Sequence, residues 1–193
     1  MEVQNQKFSL FTVPNILTFS RIILIPFFVM MMVQKKALGA FLIILAAGVT
    51  DVLDGFTARI WHQKTRLGTL FDPAADKLLI TTCFILLTLP KLSVPNCFPL
   101  WLTVVVIGRD VVIALGSLVV FLTKRASEIG PTLLGKISTI CQVVAVWAVV
   151  YFNYRQKSPL ALNWLYYLTL VATCLSGIQY FLKGLRMVGP KKA

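Results

Sequence analysis

Four aspartates, Asp51, Asp54, Asp72 and Asp76, are the residues of this chain whose type and spacing best suit chemistry. The 193 residues include only seven acidic side chains, and these four of them lie in one short segment between apolar runs. Helical spacings of three and four residues place each pair on one face of a helix. Carboxylates this close repel one another unless cations lie between them, and ligation by oxygen alone suits Mg²⁺ or Mn²⁺. The spacing therefore predicts a divalent-metal site.

The residues around the aspartates point to the kind of ligand that such metals would hold. Gly55, Ala58 and Gly68 are small, so they leave space for a ligand and let helices approach closely. Arg59 adds positive charge beside the acidic segment, and metal ions with a guanidinium group are what a diphosphate requires. One aspartate in an apolar helix is often a hydrogen bond between helices, and two can form an ion path. Four at paired helical spacings favour a binding site.

The elements that position these residues are apolar helices. Hydrophobic residues make up 58% of the chain and charged residues 13%, against roughly 25% charged in soluble domains. Several apolar runs approach the roughly 20 residues that span a bilayer as a helix. The runs cover residues 16–33, 37–50, 78–90, 100–123, 137–152 and 161–182. We expect an all-α integral membrane protein, with about six transmembrane helices in a single domain (1–193) and an interfacial segment at 1–14.

The distribution of basic residues predicts the orientation in the membrane. With six spans and a cytoplasmic N-terminus, thirteen of the nineteen basic residues lie on the cytoplasmic side, and Arg109 lies inside a span. Only five lie on the opposite side: Lys35, Lys36, Lys91, Arg155 and Lys157. The positive-inside rule therefore places both termini and the aspartates on the cytoplasmic side. The net charge of +12 would attract anionic headgroups and phosphate-bearing substrates, and we expect no nucleic-acid partner.

The acidic segment also resembles a known signature. Asp51-x-x-Asp54-Gly55-x-x-Ala58-Arg59, followed after eight residues by Gly68-x-x-x-Asp72-x-x-x-Asp76, resembles the motif of the CDP-alcohol phosphatidyltransferase family at every fixed position. The length and the six-helix layout resemble that family along the whole chain. The resemblance implies an enzyme that uses a divalent metal to transfer a phosphatidyl group from a CDP-linked lipid to an alcohol, with release of CMP.

The resemblance also implies roles for individual residues. The four aspartates would hold two metal ions, and Asp76 would in addition be the general base that takes the proton of the acceptor hydroxyl. Contacts to the CDP-linked donor would come from residues of the motif and of the connection within it: Gly55, Ala58, Arg59, Thr65 and Gly68. The family resemblance further suggests a homodimer that works among membrane lipids.

The beginning of the first apolar run bears on donor and acceptor. Asn15, Thr18 and Arg21 follow one another at spacings of three, so they share one helical face. They can be read as a helix cap with an interfacial arginine, or as residues that face the donor headgroup. The run from Val13 to Pro26 resembles the bacterial phosphatidylglycerophosphate synthases, the branch of the family that uses CDP-diacylglycerol and glycerol 3-phosphate.

Arg109 is the sharper indication of the acceptor. An arginine inside an apolar helix needs an anionic partner. Asp110 is its neighbour in sequence and projects in a different direction, so we expect the partner to be the phosphate of the acceptor. Lys136 and Arg21 would complete that anion site. Glycerol 3-phosphate suits such a site, whereas neutral alcohols do not need one.

Other functions remain as alternatives. The Arg-Asp pair of Gly108-Arg109-Asp110 departs from the Arg-Glu usual in phosphatidylglycerophosphate synthases. Together with Gly135-Lys136-x-x-Thr139-x-x-Gln142 it also resembles the cardiolipin synthases of the same superfamily, whose acceptor is phosphatidylglycerol. We favour glycerol 3-phosphate because of the N-terminal resemblance. A cation transporter would need acidic groups in its last two helices, and an inert scaffold would be expected to lose a carboxylate; neither is seen.

Overall fold

The chain folds into helices where the apolar runs predict them. The computed structural model describes the backbone of residues 13–61, 66–122 and 132–188, and the side chains of residues 22–50, 77–116 and 132–183. These ranges contain no strand, and their helices are α1 Val13–Val33, α2 Ala37–Trp61, α3 Arg66–Thr88, α4 Leu100–Leu122, α5 Leu133–Tyr154 and α6 Ala161–Val188. Each apolar run coincides with one helix, which confirms the all-α prediction, while α2 continues past residue 50 to Trp61 and α3 begins at Arg66, ahead of its run at 78–90. Residues 1–12 of the predicted interfacial segment lie outside the described residues.

The first of two compact units, Met1–Leu86, contains the antiparallel pair α1 and α2. Lys35 ends α1 in the left-handed conformation (φ 57°), and the Lys36 N–H donates to the Met31 carbonyl at 2.9 Å. Gly39 allows the helices to approach closely just after this turn, because a Cβ there would lie 2.6 Å from Met31 Sδ. The buried apolar side chains of this pair are Phe28, Met32, Ala40, Ile44 and Ala47.

In the second unit, Leu87–Ala193, helix α6 packs against both α4 and α5. Its apolar core comes from all three helices and from the segment that precedes α4. Phe98 and Tyr166 meet edge to face with ring centroids 5.4 Å apart. The buried members include Phe98, Leu102, Val106, Ala145, Val149 and Leu162.

One end of the second unit is closed by buried amides, here termed the Asn96–Asn153 clamp. The Oδ1 atom of Asn153 accepts from Asn96 N at 2.8 Å and from Asn96 Nδ2 at 2.9 Å. Asn153 Nδ2 donates to the Ser93 hydroxyl and to the Asn96 carbonyl, both at 2.9 Å. Asn96 Nδ2 also reaches the carbonyl of Lys157. The clamp thus ties the segment before α4 to the end of α5 and the turn that follows it.

Helix α6 has its polar side chains inside and its apolar side chains outside. Thr169, Thr173 and Ser176 are fully buried. Most exposed side chains of α6 are large and apolar, and they recur at helical spacing, for example Trp164, Leu168, Val171, Leu175 and Ile178. A helix at the surface of a water-soluble protein shows the opposite arrangement.

Helix α5 supplies the facing polar groups. Ser138 and Gln142 are fully buried, and the Ser138 hydroxyl lies 3.2 Å from the Thr173 hydroxyl. Gln142 Nε2 bonds to both hydroxyls, at 3.3 Å to Ser138 and 3.4 Å to Thr173. The contact between α5 and α6 therefore combines apolar packing with a hydrogen-bonded seam, which is formed by Ser138, Gln142 and Thr173.

Two helices in the described part of the chain are long and apolar enough to cross a membrane, Leu133–Tyr154 and Ala161–Lys183. The described parts of α1, α2 and α3 contain shorter apolar stretches, Ile22–Val33, Ala37–Thr50 and Lys77–Thr88. Membrane-capable helices are thus present, while six spans remain a prediction.

Candidate functional site

The backbone places the four aspartates on two consecutive helices. Asp51 and Asp54 lie in the second half of α2, and Asp72 and Asp76 lie in the first half of α3. The predicted helical context of both pairs is confirmed. The side chains of all four lie outside the described residues, so the metal site itself stays a prediction.

The predicted donor residues occupy the same helices. Gly55, Ala58 and Arg59 follow Asp54 on the last turns of α2, and Gly68 lies in the first turn of α3. Their side chains, and all of Thr65, are outside the described part of the chain.

Helix α1 carries the remaining donor residues and one acceptor residue. Asn15, Thr18 and Arg21 lie on its first turns. Because α1 and α2 are antiparallel and joined by a tight turn, the beginning of α1 lies at the same end of the pair as the end of α2. This agrees with the predicted proximity of these residues to the acidic segment. Their side chains, including that of Arg21, are outside the described residues.

Arg109 of α4 has a different partner from the one expected. Its Nη1 donates to Asp110 Oδ1 at 2.7 Å, and the two side chains are only 7% and 11% exposed. The expectation that the adjacent Asp110 cannot pair with Arg109 is therefore wrong. Neighbouring Cβ atoms on a helix do diverge, but the arginine side chain is long and flexible enough to fold back along its own helix.

Two residues of α6 complete the surroundings of the guanidinium group. Arg109 Nη2 donates to the hydroxyl of Ser176, and Arg109 Cζ lies 5.7 Å from the ring centroid of Tyr180. A cation over the face of an aromatic ring is attracted by its quadrupole. Arg109 Nε is buried and has no hydrogen-bond partner among the described residues. The guanidinium group thus keeps a buried donor available.

Tyr180 connects this arginine to the beginning of α5. Its hydroxyl accepts from the N–H of Thr132, the N-cap residue of α5, at 3.3 Å. Gly135 lies directly against the ring, because a Cβ at this position would be 3.1 Å from Tyr180 Cε2 and from its hydroxyl. Lys136, a predicted acceptor residue, is the next residue of α5, and its side chain is exposed. The beginning of α5, which includes Lys136, therefore contacts Tyr180, and Tyr180 in turn contacts Arg109.

Sequence reasoning missed Ser176 and Tyr180. Both belong to a polar series on α6, with Thr169 and Thr173, whose spacings of four, three and four residues follow one helical face. That periodicity was readable in the sequence. It was missed because the helix was identified by its apolar residues alone.

Comparison with known proteins assigns the family. Residues 11–175 match the model of the CDP-alcohol phosphatidyltransferase family, which covers both aspartate pairs and all of α1 to α5. The chain belongs to this family. The signature on α2 and α3 is therefore that of a phosphatidyltransferase.

Curated relatives in this family cover most of the chain. A protein of Aquifex aeolicus is 33% identical over 178 residues, which are 91% of this chain and 97% of the relative. Relatives from Haemophilus influenzae and Escherichia coli K12 are 34% and 36% identical, each over 88% of this chain and over 91% and 93% of their own lengths. All three are named CDP-diacylglycerol–glycerol-3-phosphate 3-phosphatidyltransferase.

Proposed function

We propose that this protein transfers the phosphatidyl group of CDP-diacylglycerol to glycerol 3-phosphate, giving phosphatidylglycerophosphate and CMP. The observation that carries the proposal is the similarity to relatives of that name, at 33% to 36% identity along nearly the whole chain. The complete signature on α2 and α3 supports the donor half of the reaction.

The residues of the signature fit a divalent cation. All four candidate ligands are carboxylates, an oxygen donor set of the kind that Mg²⁺ and Mn²⁺ prefer. Asp51, Asp54, Asp72 and Asp76 would hold two ions. When bound, the metal neutralises the diphosphate and makes CMP a better leaving group.

The chemistry that the chain's own residues perform is a single displacement at phosphorus. Asp76 takes the proton of the acceptor hydroxyl, and the hydroxyl oxygen forms a bond to the phosphorus that carries the diacylglycerol group. The bond from that phosphorus to the bridging oxygen of the diphosphate breaks, and CMP leaves with that oxygen. Arg59 and the small residues beside it, Gly55, Ala58 and Gly68, bind and orient the donor, together with Thr65, Asn15 and Thr18.

The acceptor phosphate is proposed to bind at Arg109, with Lys136 and Arg21. Since Asp110 already balances the charge of Arg109, the need for a counterion no longer supports this role. The support comes from the buried Nε donor, because a buried N–H without an acceptor is unfavourable by about 1–3 kcal/mol. An oxygen of the acceptor phosphate would satisfy it.

The membrane is proposed as the site of action. The inverted arrangement of α6, with hydroxyls inside and large apolar side chains outside, is favourable only where the surroundings are apolar. Six spans, with both termini and the active site on the cytoplasmic side, follow from the basic residues described above. A homodimer is proposed from the family relationship, and crosslinking in membranes would test it.

The decisive experiment is a panel of acceptors. The purified protein is incubated with labelled CDP-diacylglycerol and glycerol 3-phosphate, phosphatidylglycerol or inositol phosphate, and lipid products are identified by mass. We expect phosphatidylglycerophosphate and an equal amount of CMP with the first acceptor alone. Conversion of phosphatidylglycerol to cardiolipin, with glycerol 3-phosphate left untouched, would contradict the proposal and support the cardiolipin synthase alternative. Removal of divalent ions by a chelator should stop CMP release, and Mg²⁺ or Mn²⁺ should restore it.

A further inference from the structure

The guanidinium group of Arg109 is restrained on both terminal nitrogens. Nη1 is bonded to Asp110 on its own helix, and Nη2 is bonded to Ser176 on α6. Two bonds on different nitrogens fix both the plane of the group and its rotation in that plane. The direction of the remaining Nε–H is then fixed as well.

The ring of Tyr180 supports the same group and is itself held in place. The Thr132 N–H donates to its hydroxyl, and Gly135 packs so closely against the ring that a Cβ would lie only 3.1 Å from it. Tyr180 therefore couples the beginning of α5, where Lys136 lies, to Arg109 on α4. Ser176 and Tyr180 both lie beyond residues 11–175, the part of the chain that matches the family model.

We infer that Ser176 and Tyr180 are positioning residues, which hold Arg109 in the orientation that binds the phosphate of the acceptor and so set the affinity for that acceptor. This inference rests on the proposed function, in which Arg109 is an acceptor-binding residue. Ser176 acts through Nη2, and Tyr180 acts through the face of the guanidinium group and through Gly135.

The Ser176→Ala variant tests the inference directly. It removes the acceptor of the Nη2 bond, so the guanidinium group can rotate away from the acceptor phosphate. We expect KM for glycerol 3-phosphate to rise about tenfold, the size expected for one charge-assisted hydrogen bond. KM for CDP-diacylglycerol should change less than twofold, and Ser176→Thr, which keeps the hydroxyl, should restore most of the affinity.

Ser138→Ala is the matched control. Ser138 is also a fully buried serine, and its hydroxyl bonds to Thr173 and Gln142 rather than to Arg109. The control should lower the midpoint of thermal unfolding without raising KM for glycerol 3-phosphate. Equal KM values for Ser176→Ala and Ser138→Ala would overturn the inference.

Gly135→Ala provides an independent route to the same result. The new Cβ would lie 3.1 Å from the Tyr180 ring and 3.0 Å from Thr132 Oγ1, so both residues would have to shift although Arg109 is not contacted. KM for glycerol 3-phosphate should therefore rise again while KM for CDP-diacylglycerol holds. An unchanged acceptor KM in folded Gly135→Ala would overturn the role of Tyr180. If the unaltered protein itself does not use glycerol 3-phosphate, the proposed function fails instead, so the two failures are distinguishable.

Discussion

At the scale of single residues, the proposed reaction depends on the aspartate pairs of α2 and α3 and on Arg109 of α4. The aspartate pairs were predictable because their spacing follows directly from helix geometry, and the backbone confirms that both pairs are helical. The partner of Arg109 was not predictable in the same way. Its pairing with Asp110 depends on the rotamers of a long side chain, which the direction of the Cβ atoms does not determine.

Asp76→Asn tests the proposed general base. The amide cannot accept the proton of the acceptor hydroxyl, so CMP release should fall by at least about a hundredfold while the protein stays folded. The measurement is turnover with labelled CDP-diacylglycerol, together with a thermal unfolding curve. Glu128→Gln, the same change at an acidic residue outside the cluster, should keep full turnover. Normal turnover in a folded Asp76→Asn variant would rule out this base.

At the scale of helices and turns, the positions of the elements were predictable and their contacts were not. The apolar runs coincide with the six described helices, but the end of α2 at Trp61 and the beginning of α3 at Arg66 lie in the acidic segment beyond those runs. The clamp and the seam between α5 and α6 join residues such as Ser93 and Asn153, which are 60 positions apart in sequence. Such pairs depend on how the helices pack, which a single sequence does not specify.

Asn153→Ala tests how far the clamp stabilises the second unit. The change leaves the buried Asn96 N–H and the Ser93 hydroxyl without their partner on α5, and each such group costs about 1–3 kcal/mol. We expect a clear fall in the midpoint of thermal unfolding in detergent. Asn163→Ala, the same substitution at an exposed position of α6, should leave the midpoint within about one degree. Equal midpoints for the two variants would show that the clamp contributes little.

At the scale of the whole molecule, two independent observations bear on the membrane: the uneven distribution of basic residues predicts an orientation, and the inverted pattern of α6 indicates apolar surroundings. The first concerns charge at the ends of the helices, and the second concerns which faces are exposed. A protein with this surface would aggregate in water, since its exposed apolar side chains form a continuous stripe.

Single cysteines test the orientation. In a background without the native Cys83, Cys97, Cys141 and Cys174, we place one cysteine at Lys36 or at Lys192. A maleimide that cannot cross membranes should label the first variant in intact cells, and the second only after permeabilisation. The reverse pattern would place the termini outside and contradict the topology.

The ion pair of Arg109 and Asp110 also has a consequence for biogenesis. Both partners belong to α4, so the pair can form while this helix is still alone in the translocon, before α6 has been synthesised. A lone arginine near the centre of a helix raises the apparent free energy of membrane insertion by roughly 2.5–3.5 kcal/mol. The arginine of α4 would enter the bilayer already neutralised by its neighbour. Insertion assays on the isolated α4 segment should therefore show less efficient insertion when Asp110 exchanges places with Val111 at constant composition, because residues two apart on a helix do not face each other. Equal efficiency would show that the pair forms only after the helices assemble.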